Sequence, residues 1–252
     1  MTDPMAARRA RFRSLHADGC FALPNPWDAG SVRRLEALGF KALASSSSAA
    51  AQALGLTDYQ ISLDQCIDHL EMLCAATDLP VNADFENGFA DTPEQVAANV
   101  TRAIATGVAG LSIEDQHGGQ LYPLDVAVAR IAAARGAIDA SGADVMLVAR
   151  ADGRLWSLST PEEARARLIA FAGAGADCLY APGPTDLTEI AAIVAAVAPK
   201  PVNVLLMSAD MRVAELAKIG VRRVSTGSAL AEAAWHGFDK AAAALAADAG
   251  LA

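Results

Sequence analysis

Acidic side chains end two apolar runs of strand length. The first run starts at Pro80 and ends in Asp84 and Glu86, and the second starts at Leu111 and ends in Glu114 and Asp115. Because residues two apart in a strand share a face, Asp84 and Glu86 project the same way. Mg²⁺ prefers oxygen ligands and keeps several waters, so one or two carboxylates suffice to bind it. The pattern predicts a Mg²⁺ site at Asp84 and Glu114, with Glu86 as a third ligand, direct or through water.

Glu86 and Asp115 have a second interpretation. An acid at the end of a strand can cap the following helix or pair with an arginine, and neither role involves a metal. The sequence leaves both interpretations open for these two residues.

A basic residue and a hydroxyl cluster also stand at strand ends. Arg150 closes the apolar run 145–149, where an unpaired guanidinium would be costly. It is therefore expected to meet a carboxylate of the site or a substrate anion, since its planar fork suits both. The cluster Ser45, Ser46 and Ser47 is predicted to bind a carboxylate or phosphonate, with a flexible polar turn as the alternative.

Three further candidates come from position along the chain. Asp58 lies in a predicted loop that could serve as a lid, Asn203 ends the seventh predicted strand, and His117 follows the fourth. For His117 a solvated loop position is the alternative. The other three histidines, His16, His69 and His236, are expected to be structural or solvated. No Gly-x-Ser-x-Gly motif is present, which disfavours hydrolysis by a serine nucleophile.

Strand-length apolar runs alternate with helical patterns along the chain. Eight such units in 252 residues predict a parallel sheet closed as a (β/α)8 barrel, with residues 1–252 as one domain. An open doubly wound sheet is the rival, but its phosphate-binding fingerprints are missing. The predicted strands span residues 20–27, 41–48, 80–86, 110–114, 144–150, 177–181, 201–206 and 223–226, and the last helix spans 229–248.

The composition excludes several classes of partner. The net charge is −9 and basic residues form no long run, which disfavours nucleic-acid binding. The chain has no apolar run of membrane-spanning length and no signal-peptide pattern. Its four cysteines lack metal-ligand spacing and are predicted to be reduced thiols. We therefore expect a soluble, cytoplasmic protein.

Mg²⁺, an arginine and a hydroxyl cluster together suit a small 2-oxo acid. The cation would chelate the carboxylate and keto oxygens and would take up charge as an enolate develops. Breaking the C–C or C–P bond beta to the ketone leaves an enolpyruvate-like intermediate. The residues at the strand ends thus lead to the hypothesis of a bond-cleaving enzyme acting on such acids.

Several motifs together resemble the isocitrate lyase/phosphoenolpyruvate mutase superfamily, from about Phe12 to Phe238. The resemblance implies a (β/α)8 barrel whose last helix is swapped between subunits, in a homodimer or homotetramer. It also implies Mg²⁺ and a small carboxylate substrate that is a 2-oxo acid or reacts through an enolate. The motifs are Leu23–Ser31, Ser45–Ser47 with Gly55–Asp58, Ala83–Phe89, Ser112–Asp115, Ala149–Asp152, Gly175–Gly183 and Pro201–Val204.

The resemblance also assigns roles to single residues. Ser45 matches the serine that binds the substrate carboxylate, and Asp58 matches the acid of the gating loop. Asp84 and Glu114 match metal acids, and Arg150 matches the substrate-binding arginine. The predicted substrate-binding set is completed by Trp27, Ser46, Ser47 and Asn203, and the predicted catalytic set is Arg150, Asp58 and His117.

Three departures from the superfamily pattern limit the prediction. Asn82 stands where an acid is usual, and Glu86 is the candidate to restore that charge, as in the subgroup with the pattern Asp-x-Glu-x-Gly-Tyr. The cysteine motif of the lyases is missing after Gln116, and Pro182 stands near the place of an acid. A standard isocitrate or methylisocitrate lyase is therefore disfavoured.

The sequence favours a Mg²⁺-dependent enzyme that cleaves a C–C bond of a small 2-oxo or 2-hydroxy acid. Decarboxylation and retro-aldol cleavage both fit. The first alternative is a C–P bond enzyme, either a phosphoenolpyruvate mutase or a phosphonopyruvate hydrolase. The second is a catalytically inactive barrel that binds a metabolite.

Overall fold

Eight parallel strands form a nearly closed barrel. The computed structural model describes residues 3–251. The strands are β1 (Phe21–Leu23), β2 (Leu43–Ala44), β3 (Val81–Asp84), β4 (Gly110–Glu114), β5 (Gln116–His117), β6 (Gln120–Leu121), β7 (Met146–Arg150), β8 (Cys178–Tyr180), β9 (Val202–Leu205) and β10 (Arg223–Ser225). The strand order in the barrel sheet is β1-β10-β9-β8-β7-β4-β3-β2. Between β1 and β2 the amide of Ala44 donates to the carbonyl of Pro24 at 3.0 Å, which links the two ends of the sheet.

Helices surround the barrel and start at polar caps. Ser62 and Thr160 each accept from the third helical amide, and the glutamine or glutamate there completes a capping box. Pro93 and Pro161 each occupy the first position of a helix, where the missing amide of proline costs nothing. The helices are α1 (Pro4–Leu15), α2 (Ala29–Ala37), α3 (Ser47–Ala53), α4 (Leu63–Ala75), α5 (Pro93–Ala105), α6 (Leu124–Ser141), α7 (Pro161–Gly173), α8 (Leu187–Val197), α9 (Val213–Lys218) and α10 (Ala229–Asp248).

The (β/α)8 prediction is confirmed, but three elements differ from the expectation. The segment after β2 forms helix α3 instead of a serine-rich turn, because the side chain of Ser46 accepts from the amide of Ala49 and caps it. The residues after β4 form the antiparallel hairpin β5–β6. Helix α1 precedes the first barrel unit and was not predicted.

Helix α1 closes the amino-terminal end of the barrel. Phe12 is fully buried and packs in one cluster with Ala42, Ala109 and Met146, which lie at the starts of strands. Arg9 donates to the carbonyls of Ile104 and Val108 at 3.0 and 3.1 Å and fixes the helix there. The barrel interior is therefore filled at this end, and any cavity must open at the other.

Helix α10 has little contact with its own barrel. Of its 20 residues only Ala231 is buried, while Trp235, Phe238 and Leu245 are exposed. These exposed apolar side chains are compatible with the predicted exchange of this helix between subunits. In residues 3–251 no helix has the combined length and apolar character needed to cross a bilayer.

Candidate active site

Arg150 lies among three carboxylates at the carboxyl-terminal end of the barrel. Its Nη1 donates to Asp84 at 2.7 Å, and its Nε and Nη2 donate to the two oxygens of Asp152 at 3.0 and 2.6 Å. Nη2 also lies 3.1 Å from Glu114. The register of the sheet explains this cluster, because Arg150 pairs with Glu114 of β4. The sequence-based expectation that Arg150 meets carboxylates of the site agrees with this geometry.

The cluster has more negative than positive groups. Three carboxylates face one guanidinium, and the side chains of Asp152 and Glu114 are 0% and 2% exposed. Burial raises the pKa of Glu114 well above its usual range, and burial also raises the pKa of Asp152. Burial opposes the charge of Arg150, but the surrounding carboxylates outweigh it and raise its pKa. Such a buried excess of negative charge is stabilised by a cation.

Two serines hold Asp84 from the side of β2. The amide of Asp84 donates to Oγ of Ser45 at 2.7 Å, while the amide and hydroxyl of Ser47 donate to Oδ2 of Asp84 at 3.0 and 3.1 Å. Ser46 instead caps α3. The three serines therefore lie at the start of a helix and next to the acidic cluster, and the hydroxyl of Ser45, which accepts from Asp84, still has its hydrogen to donate to a substrate carboxylate.

A cavity of about 390 Å³ opens above the cluster. Tyr59 and Trp156, whose ring centroids are 6.4 Å apart, stand at its opening. Asp58 also lines it, and burial together with the charge of Asp84 raises the pKa of Asp58 to about 6. The lining includes Asn25, Ser45, Ser46, Ser47, Asp58, Tyr59, Asn82, Asp84, Glu114, Arg150, Trp156, Tyr180, Leu205, Met207, Arg223 and Glu232.

Glu86 lies behind this lining in a strained turn. Its φ is +43°, an unusual value for a residue with a side chain. Its Oε1 is buried without a hydrogen-bond partner within residues 3–251. Burial, followed by the charges of Asp84 and Asp58, raises the pKa of Glu86 to about 8. An unpartnered carboxylate oxygen near Asp84 is consistent with a role toward a cation, and it does not cap the next helix, since Thr92 caps α5.

The donor set fits a Mg²⁺ ion that keeps several waters. Asp84 and Glu114 supply carboxylate oxygens, and a cation bound to them would stabilise their charged forms. Within residues 3–251 no group of three or more Asp, Glu, His or Cys side chains is arranged as a direct metal cage. One or two direct ligands are therefore what these residues can offer.

Besides Glu86, the structure places three predicted site residues away from the cavity lining. Trp27 lines a separate apolar pocket beside α3 and α4, and its carbonyl bonds His69 at 3.0 Å. Asn203 is buried beneath the cavity and bonds Ser225 and Arg223. His117 is exposed on the hairpin β5–β6, where its Nδ1 lies 3.2 Å from the amide of Asn87. Trp27 and His117 follow strands, but their side chains point elsewhere, and Asn203 is the second residue of β9 and so lies below the carboxyl-terminal end of its strand.

Three site residues were not predicted to act. Asp152 could have been found, because it lies two residues beyond Arg150 at the end of the same strand. Tyr180 has no sequence signal of its own, and its ring lies 5.3 Å from the guanidinium carbon of Arg150 only through the pairing of β7 with β8. Arg223 also needed the fold, since two adjacent arginines in the sequence do not reveal which one points inward.

Asp115 supports the cluster from outside. Its Oδ1 accepts from the amide of Asp152 at 2.9 Å, and its Oδ2 accepts from Arg167 at 3.1 Å. Burial raises the pKa of Asp115 to about 6. The arginine-pairing interpretation of Asp115 is therefore the one that the structure favours.

Residues 12–246 match the family model for phosphoenolpyruvate phosphomutase, which covers most of the chain. The chain belongs to the phosphoenolpyruvate mutase family. Its structural neighbours lie in the PEP mutase/isocitrate lyase superfamily, in agreement with the sequence resemblance. This membership is consistent with the strand-end site described above.

Individual members of the family differ in their reactions. An oxaloacetate decarboxylase of Paraburkholderia xenovorans (strain LB400) is 30% identical over 90% of this chain and 77% of its own. A Burkholderia cenocepacia J2315 structure, provisionally assigned as a lyase/mutase, is 44% identical with a TM-score of 0.93, covering 96% of this chain and 89% of that one. Oxaloacetate acetylhydrolase in complex with oxalate is 29% identical with a TM-score of 0.87, covering 95% and 86%. These relatives share the family but not one reaction.

Proposed function

We propose that this protein is a Mg²⁺-dependent lyase that cleaves a C–C bond of a small 2-oxo acid, with decarboxylation of an oxaloacetate-type diacid as the first choice. The observation that carries the proposal is the buried cluster of Asp84, Glu114 and Asp152 around one arginine, beside the serines that follow β2. The similarity to an oxaloacetate decarboxylase supports the choice of substrate class.

The residues of the chain would divide the work as follows. Asp84 and Glu114 would hold Mg²⁺, which when bound supplies positive charge to stabilise an enolate. Ser45 would orient a substrate carboxylate with its hydroxyl, while Ser47 would hold Asp84 through its amide and hydroxyl. Arg150 would hold Asp84 in place and balance its charge. The C–C bond breaks with its electron pair passing toward the keto group, CO₂ leaves, and a proton is then added to the carbon that carried it.

Decarboxylation asks less of the cavity lining than retro-aldol cleavage does. It needs no group that removes a proton before the C–C bond breaks, whereas cleavage of a 2-hydroxy acid does. Neither a cysteine nor a histidine is among the described residues that line the cavity, and Asp58 is the candidate base if the substrate is a 2-hydroxy acid. The preference for decarboxylation therefore rests on the similarity to an oxaloacetate decarboxylase.

A C–P bond enzyme is the second candidate, because the matching family model is that of a phosphomutase. A phosphonate dianion calls for several cationic donors. Arg150 and Arg223 are the only lysine or arginine side chains among the described residues lining the cavity, and three carboxylates already surround Arg150. This balance of charge makes C–P cleavage the less favoured reaction.

A direct assay separates these functions. The protein is incubated with Mg²⁺ and, separately, oxaloacetate, malate-type acids and phosphonopyruvate, and pyruvate, CO₂ and phosphate are measured. We expect pyruvate with CO₂ from oxaloacetate, and loss of this activity by about a hundredfold or more in Asp84→Asn. Asp64→Asn, which removes an exposed carboxylate paired with Arg102, is the control that should retain activity.

Two results would contradict the proposal. Pyruvate with phosphate from phosphonopyruvate, and no CO₂ from oxaloacetate, would establish the C–P alternative. An absence of Mg²⁺ binding by calorimetry, together with no turnover of any of these acids, would indicate the inactive metabolite-binding barrel.

We further propose that the protein assembles as a homodimer or a dimer of dimers through α10. A helix of 20 residues with one buried side chain gains little stability from its own barrel. Its exposed Trp235 and Phe238 would be covered by a second subunit.

A further inference from the structure

Arg223 lies in the floor of the active-site cavity. It is the first residue of β10, only 2% exposed, and it lines the same cavity as Arg150. The mechanism proposed above leaves it without a role. A buried guanidinium stays charged, so its environment must compensate a full positive charge.

The partners of Arg223 are all neutral. Its Nε donates to Oδ1 of Asn203 at 2.9 Å, and its Nη1 lies 3.3 Å from Oδ1 of Asn82 and 3.5 Å from Nε2 of His16. Within residues 3–251, Arg223 forms no ion pair, and its Nη2 donates no hydrogen bond. The titratable groups that act on it are Cys178 and Tyr180, not carboxylates.

The two asparagines are fixed so that only their oxygens face Arg223. The amide nitrogen of Asn82 donates to the carbonyl of Ala83 at 3.0 Å, and that of Asn203 donates to Oγ of Ser225 at 3.0 Å. Each side chain thus contributes a dipole but no charge. A carboxylate at position 82 would neutralise Arg223, whereas the amide leaves its charge available.

Neutral partners alone do not identify an anion-binding arginine, because two other buried arginines also have them. Arg9 and Arg130 are also buried, and they donate to backbone carbonyls. Neither lines the cavity. Arg223 combines an uncompensated charge with access to the cavity, which is the property of an anion-binding group.

We propose that Arg223, supported by Asn82 and Asn203, forms a carboxylate-binding subsite that accepts the second carboxylate of a dicarboxylate substrate. Asn82 lies two residues before Asp84 on the same face of β3, so the subsite and the metal side of the cavity are about 7 Å apart along the strand. An extended four-carbon diacid can bridge this separation, because its carboxylate oxygens and the groups that bind them add to the length of its carbon chain. The assignment of the anion as part of the substrate rests on the proposed function.

The test compares a long and a short dicarboxylate that are not turned over. Succinate can span from the metal side to Arg223, and oxalate is too short to do so. Binding of each is measured by calorimetry with Mg²⁺ present, for the unchanged protein, Asn82→Asp, Arg223→Gln and Arg222→Gln. Arg222 is the matched control, because it is adjacent in sequence but lies at the surface beside Asp18.

We expect Asn82→Asp and Arg223→Gln to weaken succinate binding about tenfold or more, because in each variant the carboxylate of the ligand no longer meets an uncompensated positive charge. Oxalate binding should change little in either variant, and Arg222→Gln should behave as the unchanged protein. Asn82→Asp adds a counter-ion to a buried cation, so its melting temperature should not fall. This variant keeps the test valid if Arg223→Gln fails to fold.

Several outcomes would overturn the subsite. They are unchanged succinate binding in Asn82→Asp, equal loss of succinate and oxalate binding, or no succinate binding by the unchanged protein. Sulfate is titrated as a further ligand: if it binds in an Arg223-dependent way and succinate does not compete, the floor serves a free inorganic anion instead. Because none of these measurements requires turnover, failure of the subsite is distinguishable from failure of the proposed decarboxylation.

Discussion

Arg150 and Arg223 are two buried arginines in one cavity with opposite surroundings. Arg150 is paired with three carboxylates, so it mainly holds these side chains in place and has little charge left for a ligand. Arg223 has neutral partners and keeps its charge for a ligand. The difference follows from which side chains the neighbouring strands bring to each, and not from the arginine itself.

Arg167 is expected to act on catalysis through Asp115 and Asp152. In Arg167→Gln the buried carboxylate of Asp115 loses its cation and holds the amide of Asp152 less firmly. We expect kcat to fall about tenfold to hundredfold, the range typical of groups that orient metal-site residues, with a smaller change in KM. Steady-state kinetics would measure this. Arg165→Gln on the same helix, which removes an exposed pair with Glu162, should leave kcat unchanged.

The acid sensitivity of the protein should depend on His16. Burial, and then the charge of Arg223, lowers the pKa of His16 to about 3, while an unfolded histidine titrates near 6.5. The unfolded state therefore binds more protons between these two pKa values. The contribution of neutral His16 to the free energy of unfolding is thus complete above about pH 6.5 and is lost as the pH falls. At about pH 5.5 the loss amounts to roughly 1 kcal/mol.

Replacing His16 by glutamine should remove that part of the pH dependence. The measurement is the free energy of unfolding at about pH 7.5 and about pH 5.5, in the unchanged protein and in His16→Gln. His117→Gln, at an exposed position of the hairpin β5–β6, is the control. An identical loss of stability on acidification in all three proteins would contradict the assignment.

Single residues were predictable where strand ends carry charge. Asp84, Glu114 and Arg150 follow apolar runs, and their convergence needs only a parallel barrel. Trp27 and His117 also lie near strand ends, yet their side chains turn away from the cavity, and Asn203 stands near the start of β9. Side-chain direction depends on the register between strands and on local turns, neither of which is written in one strand's sequence.

Among the elements, β4 is restricted by the close approach of α1. A methyl group added at Gly110 would meet Asn82 Oδ1 and Phe12 Cε1, both at 2.7 Å. We expect Gly110→Ala to destabilise the fold by about 1–3 kcal/mol, because the neighbours are packed and cannot withdraw. Thermal or denaturant unfolding would show it.

Gly136 provides the matched comparison within a helix. It lies inside α6, and an added methyl group meets nothing within 4 Å. Gly136→Ala should stabilise the protein by up to about 1 kcal/mol, because alanine is the better helix former. If both alanine variants changed stability in the same direction, steric contact with α1 would not be what restricts Gly110.

Element order was more predictable than element ends. The barrel units are separated by clear caps, such as Ser62 and Thr160, which mark where helices begin. Helix α3 was missed because a run of serines is typical of a turn, and only the bond from Ser46 to the amide of Ala49 makes it a helix start. The hairpin β5–β6 has two residues per strand, too few for a periodic signal.

For the whole molecule, α10 predicts the assembly state. We expect a dimer or tetramer by light scattering coupled to size-exclusion chromatography, and dissociation of it in Phe238→Glu, since a charge on the covered face cannot be desolvated without cost. Glu215→Lys, at an exposed position of α9, is the control. A monomer at all concentrations would refute the proposed assembly.

The barrel has one closed end, and this determines how ligands exchange. Phe12 of α1 fills the amino-terminal end, while Tyr59 and Trp156, 38% and 46% exposed, border the opposite opening. Substrate and products must use the same passage. A product must then leave before the next substrate enters. A product that dissociates slowly would therefore act as a competitive inhibitor, and its release would limit the rate of turnover.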